Sequence, residues 1–226
     1  IHHQVYSGRM MCGAHLAESV RKKASKALRQ QLVLPKGEHT TILVAISGGK
    51  DSAVLLERIH ENLGKRRDVT IVGGCVDEGI EGYRPPSLEC ARELCEDLGI
   101  RFETVSYPEL GFKEMDEVVD KIVQLEERKA PCSYCGVFRR QGINHLADRV
   151  NADVIALGHN LDDMAQTIMM NMQNGDLERT LRLAPHTSTP LEGMVPRIVP
   201  LRWIPEQEIH LYALHKNLPI HHEECP

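Results

Sequence analysis

The chain has 226 residues, enough for one large domain or for a domain with small appendages. Apolar residues make up 42% of it and aromatic residues only 4%, which excludes a disordered tail and predicts a core of aliphatic side chains. The formal net charge of −5 excludes a uniformly basic nucleic-acid binder, and no apolar run approaches the length of about 18 residues that a membrane span needs.

The beginning of the chain predicts two helices with one buried strand between them. Residues 15–32 have apolar positions on one helical face and basic residues on the rest, and Pro35-Lys36-Gly37 breaks this pattern. Residues 41–46 form a continuous, largely β-branched run, which is typical of a strand buried on both faces. A glycine-containing turn then leads into a helix that reaches Leu63.

The succession of strand and helix repeats further along the chain. Residues 69–72, 100–105 and 153–157 predict strands, and a helix begins at Pro85-Pro86. The helix after the last of these strands has an apolar stripe, which we expect to pack behind the sheet. The stripe consists of Leu161, Ala165, Ile168, Met169 and Met172.

This alternation predicts an α/β fold with a doubly wound, mostly parallel, Rossmann-like sheet. Ligands of such sheets bind beyond the carboxyl ends of the strands. We divide the chain into an N-terminal segment, residues 1–37, and a catalytic domain, residues 38–226.

The string S-G-G-K-D-S at residues 47–52 lies between the first long strand and its helix. Two glycines let the backbone turn tightly and present N–H groups, the helix N-terminus adds positive potential, and Lys50 adds a charge. The spacing is not that of a Walker A loop. The string predicts a site for a di- or triphosphate; the alternative is a glycine turn capped by Ser52.

Seven cysteines are an odd number for a disulfide framework, so we expect ligands, nucleophiles or core fillers. Cys132 and Cys135 form a C-x-x-C pair, followed by a basic corner at Arg139 and Arg140. Thiolates so spaced bind zinc, copper(I) or an iron–sulfur cluster, or form a redox disulfide, and the residues alone leave these alternatives and chance packing open. Cys75 and Cys95 read as packing residues, and Cys90 has no assignment.

Polar residues also follow the strand at 153–157. Asp162 and Asp163 open the next helix, where carboxylates either complement the helix dipole or hold magnesium and orient reacting groups. His159 is a phosphate contact or an ordinary turn residue. Four further histidines read as surface residues: His2, His3, His221 and His222.

Longer motifs make the sequence specific. They are D-E-G-I-E-G-Y-R at 77–84, C-S-Y-C-G-V-F-R-R at 132–140, G-H-N-L-D-D-M-A-Q-T at 158–167 and E-C-P at 224–226. S-G-G-K-D-S resembles the PP-loop of the ATP pyrophosphatase superfamily. Together and in this order, the motifs resemble the TtuA/TtcA family of tRNA thiolases, and most closely its TtuA-type branch of archaeal and eukaryotic proteins. The resemblance extends over essentially the whole chain.

The resemblance implies roles for particular residues. The implied nucleotide and magnesium site comprises Ile46, Ser47, Gly48, Gly49, Lys50, Asp51, Ser52, Asp77, Gly158, His159 and Asp163. The implied catalytic residues are Lys50, Asp51, Arg139 and Asp163. Arg139 stands where some relatives have a lysine, so the charge is kept while the geometry differs.

The resemblance also implies metal sites. Cys132 and Cys135, with Cys225 far downstream, would hold a [4Fe-4S] cluster and leave one iron open. Cys12 and His15 match the second half of an N-terminal zinc finger, or are a chance pair. The first half would precede residue 1, so we expect a longer protein with further zinc modules.

The reaction that the resemblance implies has two steps. ATP and Mg²⁺ bind at the PP-loop, and the O2 atom of a tRNA uridine is adenylated with release of pyrophosphate. Sulfide on the open iron then replaces this oxygen, AMP leaves, and 2-thiouridine forms. The alternatives are TtcA-type synthesis of 2-thiocytidine, a cluster-free PP-loop ligase, and a non-enzymatic iron–sulfur RNA-binding or sensor protein.

The expected partners are tRNA and a sulfur donor, either sulfide or a ubiquitin-like thiocarboxylate carrier. We further expect a homodimer in the cytoplasm and no membrane partner. Because the chain is acidic overall, RNA would bind basic clusters that converge on the carboxyl edge of the sheet. The clusters are Arg21-Lys22-Lys23, Lys65-Arg66-Arg67, Arg139-Arg140 and Arg179 with Arg182.

Overall fold

The computed structural model describes residues 1–124, 130–181, 183, 185, 194–223 and 225. Its strands are β1 (His2–Gln4), β2 (Arg9–Met11), β3 (Thr40–Ala45), β4 (Val69–Asp77), β5 (Arg101–Ser106), β6 (Val154–Ala156) and β7 (Arg197–Ile198). Its α-helices are α1 (Gly13–Gln31), α2 (Lys50–Leu63), α3 (Arg84–Asp97), α4 (Met115–Gln124), α5 (Pro131–Arg149), α6 (Leu161–Gln173), α7 (Leu177–Leu181) and α8 (Glu206–His215).

Five strands form one parallel sheet in the order β5-β4-β3-β6-β7, and β1 and β2 form a separate antiparallel hairpin. From β3 the chain builds outward to β4 and β5, and it then returns to add β6 on the other side of β3. The direction of strand addition therefore reverses between β3 and β6. In doubly wound folds a crevice opens at this point, beyond the carboxyl ends of the strands.

Helices cover both faces of the sheet, as predicted. One core lies under α1, α2, α3 and α8 and includes Val20, Leu55 and Ile59. The other lies under α4 and α5 and includes Leu146 and Tyr107. Because β3 is covered on both faces, its apolar run is buried at successive positions rather than at alternate ones.

Strand β4 continues to Asp77, well beyond the predicted strand at 69–72. Gly73 and Gly74 kept this extension out of the prediction, since glycine is unfavourable in strands. A Cβ at Gly73 would lie 2.6 Å from Cys95 Sγ, and one at Gly74 would lie 2.6 Å from Leu43 Cδ1. A residue of α3 on one face and a side chain of β3 on the other therefore lie too close to β4 for larger residues. The longer strand carries Asp77 to the carboxyl edge.

The N-terminal segment packs against the rest of the chain. Helix α1 contacts α2 and α8. The Gln4 amide donates to Glu208 Oε1 at 2.8 Å, and Gln31 exchanges hydrogen bonds with the backbone of Val199. Residues 1–37 thus share a core with the sheet, and the division at residue 37 stays a prediction.

The apolar stripe predicted for α6 is not in the core. Met169 is 70% exposed and Met172 is 72% exposed, and Ile168 is also exposed. The sheet is too short here to cover them, since β6 has three residues and β7 has two, and α6 packs mainly on α7. The prediction that this stripe lies behind the sheet was therefore wrong for these three residues and for Ala165, which is exposed as well. Within the described residues, no helix is long and apolar enough to cross a membrane.

Candidate functional site

A cavity of about 500 Å³ opens at the carboxyl edge of the sheet, where β3, β4 and β6 end and α5 begins. Most of the residues predicted to bind the nucleotide line it. These are Ile46, Ser47, Asp51, Ser52, Gly158, His159 and Asp163. The predicted catalytic residue Arg139 also lines it. The cavity thus brings the S-G-G-K-D-S loop and the C-x-x-C helix to one site.

The S-G-G-K-D-S loop is held by its own hydrogen bonds. Ser52 Oγ accepts the Ser47 N–H at 3.1 Å and donates to the Gly49 carbonyl at 2.9 Å. Gly48 has φ +88°, in the left-handed region, and a Cβ there would overlap the carbonyl oxygen of Ser87. Only glycine fits this position, because the loop turns directly against α3.

Arg84 fastens this loop to the end of β4 with a buried guanidinium. Its Nη1 donates to the Ser47 carbonyl at 3.0 Å and to Ser87 Oγ at 3.1 Å. Its Nη2 donates to the Val76 carbonyl and to Cys75 Sγ. Five N–H donors in a fixed fork allow one side chain to make all of these bonds. Arg84 carried no assignment from the sequence.

Glu78 connects Arg84 with the C-x-x-C helix. Its side chain is 4% exposed, and its two oxygens lie 2.7 Å from Arg84 Nε and 3.0 Å from Arg139 Nε. Arg139 Nη2 in turn donates to Cys135 Sγ at 3.4 Å. Burial works against the charge of Arg139, but Glu78 and then Cys135 outweigh it and raise the pKa of Arg139 above its usual value. A continuous polar chain therefore joins the loop to Cys135.

The contacts of Glu78 show why the motif at 77–84 contains acidic and basic residues, since Glu78 pairs with Arg84 of the same motif. Both Glu78 and Arg84 lie in D-E-G-I-E-G-Y-R, directly after β4. Charged residues in a motif at the carboxyl end of a strand are the signal that could have identified them. Asp77, which was predicted, accepts the Gly79 N–H at 3.0 Å and is not among the lining residues of the cavity.

Lys50 and Asp51 lie at the start of α2, at the cavity. Lys50 Nζ is 3.3 Å from Asp51 Oδ2 and 2.7 Å from Glu206 Oε1. Asp51 Oδ1 accepts the Asn160 amide at 2.9 Å. Gly158 brings β6 against the same turn, since a Cβ there would lie 3.3 Å from the Ser52 nitrogen. Like Gly48 and Gly49, Lys50 is absent from the lining of the cavity itself.

Asp163 caps α6 and also lines the cavity, while its predicted part in holding magnesium stays a prediction. Its N–H donates to Asn160 Oδ1 at 3.0 Å and its carboxylate accepts the Asn160 N–H at 2.9 Å, a capping box that starts α6. It also lines the cavity, whereas Asp162 points elsewhere and accepts the Glu206 N–H at 2.7 Å. Desolvation lowers the pKa of His159, against the opposing effect of Asp163.

The C-x-x-C pair occupies the first turns of α5. Cys132 is exposed and Cys135 is buried. The Tyr107 hydroxyl donates to the Cys135 carbonyl at 3.1 Å, and the Tyr107 ring meets Phe138 edge-on with centroids 5.4 Å apart. This aromatic support, with Phe112 stacked on Phe138, fixes the end of α5 that carries the thiols.

The carboxyl-terminal segment returns to the same place. The His221 N–H donates to the Gly48 carbonyl at 2.9 Å, and the His221 ring lies 5.4 Å from that of Tyr83. Partial burial raises the pKa of Cys225, and the nearby thiols of Cys135 and Cys132 raise it further. The His221 hydrogen bond thus brings the carboxyl-terminal segment that carries Cys225 to the PP-loop. His221 is half-buried rather than a surface residue, a correction that no sequence pattern signalled.

The three thiols fit an iron–sulfur cluster. In the described part of the chain, no three His, Cys, Asp or Glu residues stand close enough together to hold a single metal ion. A cluster does not need three ligands within reach of one metal ion, because each thiolate binds a different iron and the ligands lie farther apart. Two thiols in the first turns of α5, with Arg139 beside Cys135 and a third thiol on the segment that returns to the PP-loop, have the chemistry of a cluster's donor set.

The remaining cysteines lie apart from this set. Cys12 Sγ is 3.2 Å from His15 Nδ1 at the start of α1, so the two predicted zinc ligands are adjacent, exposed and outside the cavity. Burial raises the pKa of Cys75 to about 11 and that of Cys95 to about 12, in keeping with packing roles. Cys90 is half-buried on α3.

The basic clusters do not converge as expected. Lys65-Arg66-Arg67 precedes β4 and so lies at the amino edge of the sheet, opposite the cavity, because parallel strands all begin at one edge. Arg21-Lys22-Lys23 pairs with glutamates, and Arg179 pairs with Asp176 at 3.0 Å. Arg182 lies outside the described residues. Arg139-Arg140 is the cluster that borders the cavity.

A doubly wound parallel sheet with S-G-G-K-D-S at its crevice defines a nucleotide-binding protein of the PP-loop class. The PP-loop domain family matches residues 16–224, and the chain belongs to this family. The prediction of fold class is confirmed.

Known relatives narrow the class. tRNA 2-thiolation protein NcsA of Haloferax volcanii is 39% identical over 234 residues, which cover 99% of this chain and 72% of that protein. Cytoplasmic tRNA 2-thiolation protein 1 of Drosophila virilis is 35% identical over 221 residues, 97% of this chain and 62% of that protein. The chain therefore belongs to the NcsA group of tRNA 2-thiolation proteins, which confirms the family predicted from the motifs.

A solved structure agrees with these relatives. The U34-tRNA thiolase NcsA from Methanococcus maripaludis, determined with its [4Fe-4S] cluster, matches with a TM-score of 0.85 at 34% identity. The match covers 100% of this chain and 72% of that one. The chain thus spans about three fifths to three quarters of the length of the proteins it resembles.

Proposed function

We propose that the chain forms the catalytic part of a tRNA thiolase that uses ATP to convert a uridine into 2-thiouridine. The observation that carries this proposal is that the PP-loop and the C-x-x-C helix line the same cavity and are joined through Arg84, Glu78 and Arg139. The names of the relatives support it, because they are tRNA 2-thiolation proteins, and the Methanococcus maripaludis enzyme acts on U34.

In the first step the chain activates the base. The loop amides and Lys50 bind the pyrophosphate part of ATP, while Asp51 and Asp163 are placed to hold Mg²⁺. The uridine O2 attacks the α-phosphorus, a new P–O bond forms, and the bond to the β-phosphate breaks with release of pyrophosphate. Arg139 stabilises the negative charge that develops on the transferring group.

In the second step a sulfur nucleophile forms a bond to C2 of the base, and the C2–O bond breaks with AMP as the leaving group. Sulfur is at the oxidation level of sulfide both in the nucleophile and in the product, so the exchange needs no oxidant or reductant. Cys132, Cys135 and Cys225 would hold a [4Fe-4S] cluster, which when bound supplies an iron with an open position for this sulfur. Arg139, within hydrogen-bond distance of Cys135 Sγ, lies between the two reacting halves.

Several finer expectations stay predictions. Mg²⁺ at Asp51 and Asp163, zinc at Cys12 and His15, the sulfur donor, the homodimer and the cytoplasmic location are untested. The choice of uridine over cytidine follows the relatives, whose names specify tRNA 2-thiolation and, for one of them, U34. A cluster-free ligase would leave the three neighbouring thiols without a purpose.

The experiment is to purify the protein without oxygen and to compare Cys225→Ser with Cys90→Ser. We expect Cys225→Ser to lose most of its iron and its thiolation of tRNA while it still binds ATP, because the PP-loop contacts are unchanged. Cys90→Ser is the matched control, since Cys90 is half-buried on α3 and is not among the residues that line the cavity. Full iron content and activity in Cys225→Ser would contradict the proposed ligand set.

A further inference from the structure

Two arginines line the cavity without an acidic partner. Arg140 follows Arg139 on α5, and Arg197 extends from β7. Neither forms an ion pair with a described residue, whereas nine of the fifteen described arginines do. Arg197 Nη2 donates to the neutral Asn144 side chain at 2.8 Å, and its Nε is buried without a hydrogen-bond partner.

Placing these two charges together is unfavourable in the free protein. Burial lowers the pKa of Arg197, and the like charge of Arg140 lowers it further. A buried guanidinium nitrogen without a partner costs free energy that a bound acceptor would recover. In the described part of the free protein, the two guanidinium groups therefore have no anionic partner. A phosphate has several oxygens that accept hydrogen bonds, so it can pair with both guanidinium groups.

The position of the pair separates it from the nucleotide loop. Strand β7 is two strands away from β3, with β6 between them, which places their ends about 10 Å apart. The PP-loop already offers its own amides and Lys50 for the phosphates of ATP. A second phosphate site in the same cavity then belongs to the second substrate, which carries one phosphate for each nucleotide.

We propose that Arg140 and Arg197 form a phosphate-binding subsite that takes a backbone phosphate of the RNA next to the target uridine. This inference rests on the proposed function, because it requires an RNA substrate. The subsite holds the RNA strand while the base reaches the α-phosphate of ATP. It also explains how a protein of net negative charge binds RNA at this cavity. Phosphate contacts of this kind position the RNA without reading its sequence.

The test measures tRNA affinity over a range of salt concentrations, and ATP affinity by calorimetry, for Arg140→Gln and Arg197→Gln. We expect each variant to bind tRNA about tenfold more weakly, with a salt slope smaller by roughly 0.7 to 0.9, and to bind ATP as the unchanged protein does. Arg197→Lys keeps a charge and should recover much of the affinity. Arg29→Gln removes an equal charge from an exposed, unpaired arginine of α1 and should change nothing.

Three results would overturn the inference in distinguishable ways. If tRNA affinity is unchanged in both glutamine variants, the subsite does not exist. If ATP affinity falls while tRNA affinity is kept, the pair binds a nucleotide phosphate instead. If the unchanged protein fails to bind tRNA at all, the proposed function fails as well. Arg140 is exposed, so Arg140→Gln leaves packing intact and decides the matter even if Arg197→Gln folds poorly.

Discussion

Glu78 shows how much of the site depends on one buried carboxylate. It binds Arg84, which holds the PP-loop, and Arg139, which contacts Cys135. Buried ion pairs contribute little net stability, but removal of one partner leaves a charge without compensation. Such a residue serves to fix the PP-loop relative to the C-x-x-C helix rather than to add net stability.

We therefore expect Glu78→Gln to lower the free energy of unfolding by about 3 kcal/mol, as measured by urea denaturation. Thiolation should fall more than ATP binding, because Arg139 is no longer held by a charge. Glu117→Gln is the matched control, since Glu117 forms an exposed pair with Lys113, which precedes α4, and should cost below about 1 kcal/mol. Equal losses in the two variants would contradict this role for Glu78.

At the scale of elements, the loop between β3 and α2 gives the clearest case of a residue dictated by packing. Gly48 combines a left-handed φ with contact to the backbone of α3. Gly37 has a similar φ of +80°, but nothing lies within 4 Å of the position of a Cβ. Alanine substitutions at Gly37 and Gly48 therefore separate the free-energy cost of backbone strain from that of a steric clash.

We expect Gly37→Ala to lose roughly 1–2 kcal/mol of stability, the strain of a left-handed residue, without a change in ATP affinity. Gly48→Ala should lose more stability and at least about tenfold in ATP affinity, since the loop must move away from Ser87. Thermal unfolding and calorimetry measure both quantities. If Gly48→Ala binds ATP as tightly as Gly37→Ala does, the loop does not have the role assigned to it.

The elements differ in how far the sequence could predict them. Helix α1 carries a strong periodic pattern and strand β3 a continuous apolar run, and both were predicted almost to their bounds. Strand β7 has only two residues, too few for any pattern, yet it brings Arg197 into the cavity. The stripe on α6 has helical periodicity but no sheet to pack against, and periodicity alone does not state what covers an apolar face.

The site was predictable only where its residues follow one another in sequence. The PP-loop and the C-x-x-C pair are local motifs with a direct chemical meaning. Cys225 entered through the resemblance alone, because ninety residues separate it from Cys135 and only the fold brings them together. The links through Arg84 and Glu78 depend on side-chain geometry across two elements, which no spacing in one sequence encodes.

At the scale of the whole molecule, the net charge of −5 is compatible with an RNA substrate because several arginines line the cavity, although the other basic clusters lie elsewhere. Most arginines are neutralised by neighbouring carboxylates, whereas Arg140 and Arg197 lie at the cavity without such partners in the described chain. The acidic surface would repel RNA elsewhere and favour its approach to this opening.

The most direct test of the central claim is mass spectrometry of nucleosides from tRNA incubated with the anaerobically purified protein, ATP and sulfide. The account predicts that 2-thiouridine appears, that it requires ATP, and that AMP and pyrophosphate form in equal amounts with it. The appearance of 2-thiocytidine instead, or of no thiolated nucleoside while the protein holds its iron and binds ATP and tRNA, would contradict it.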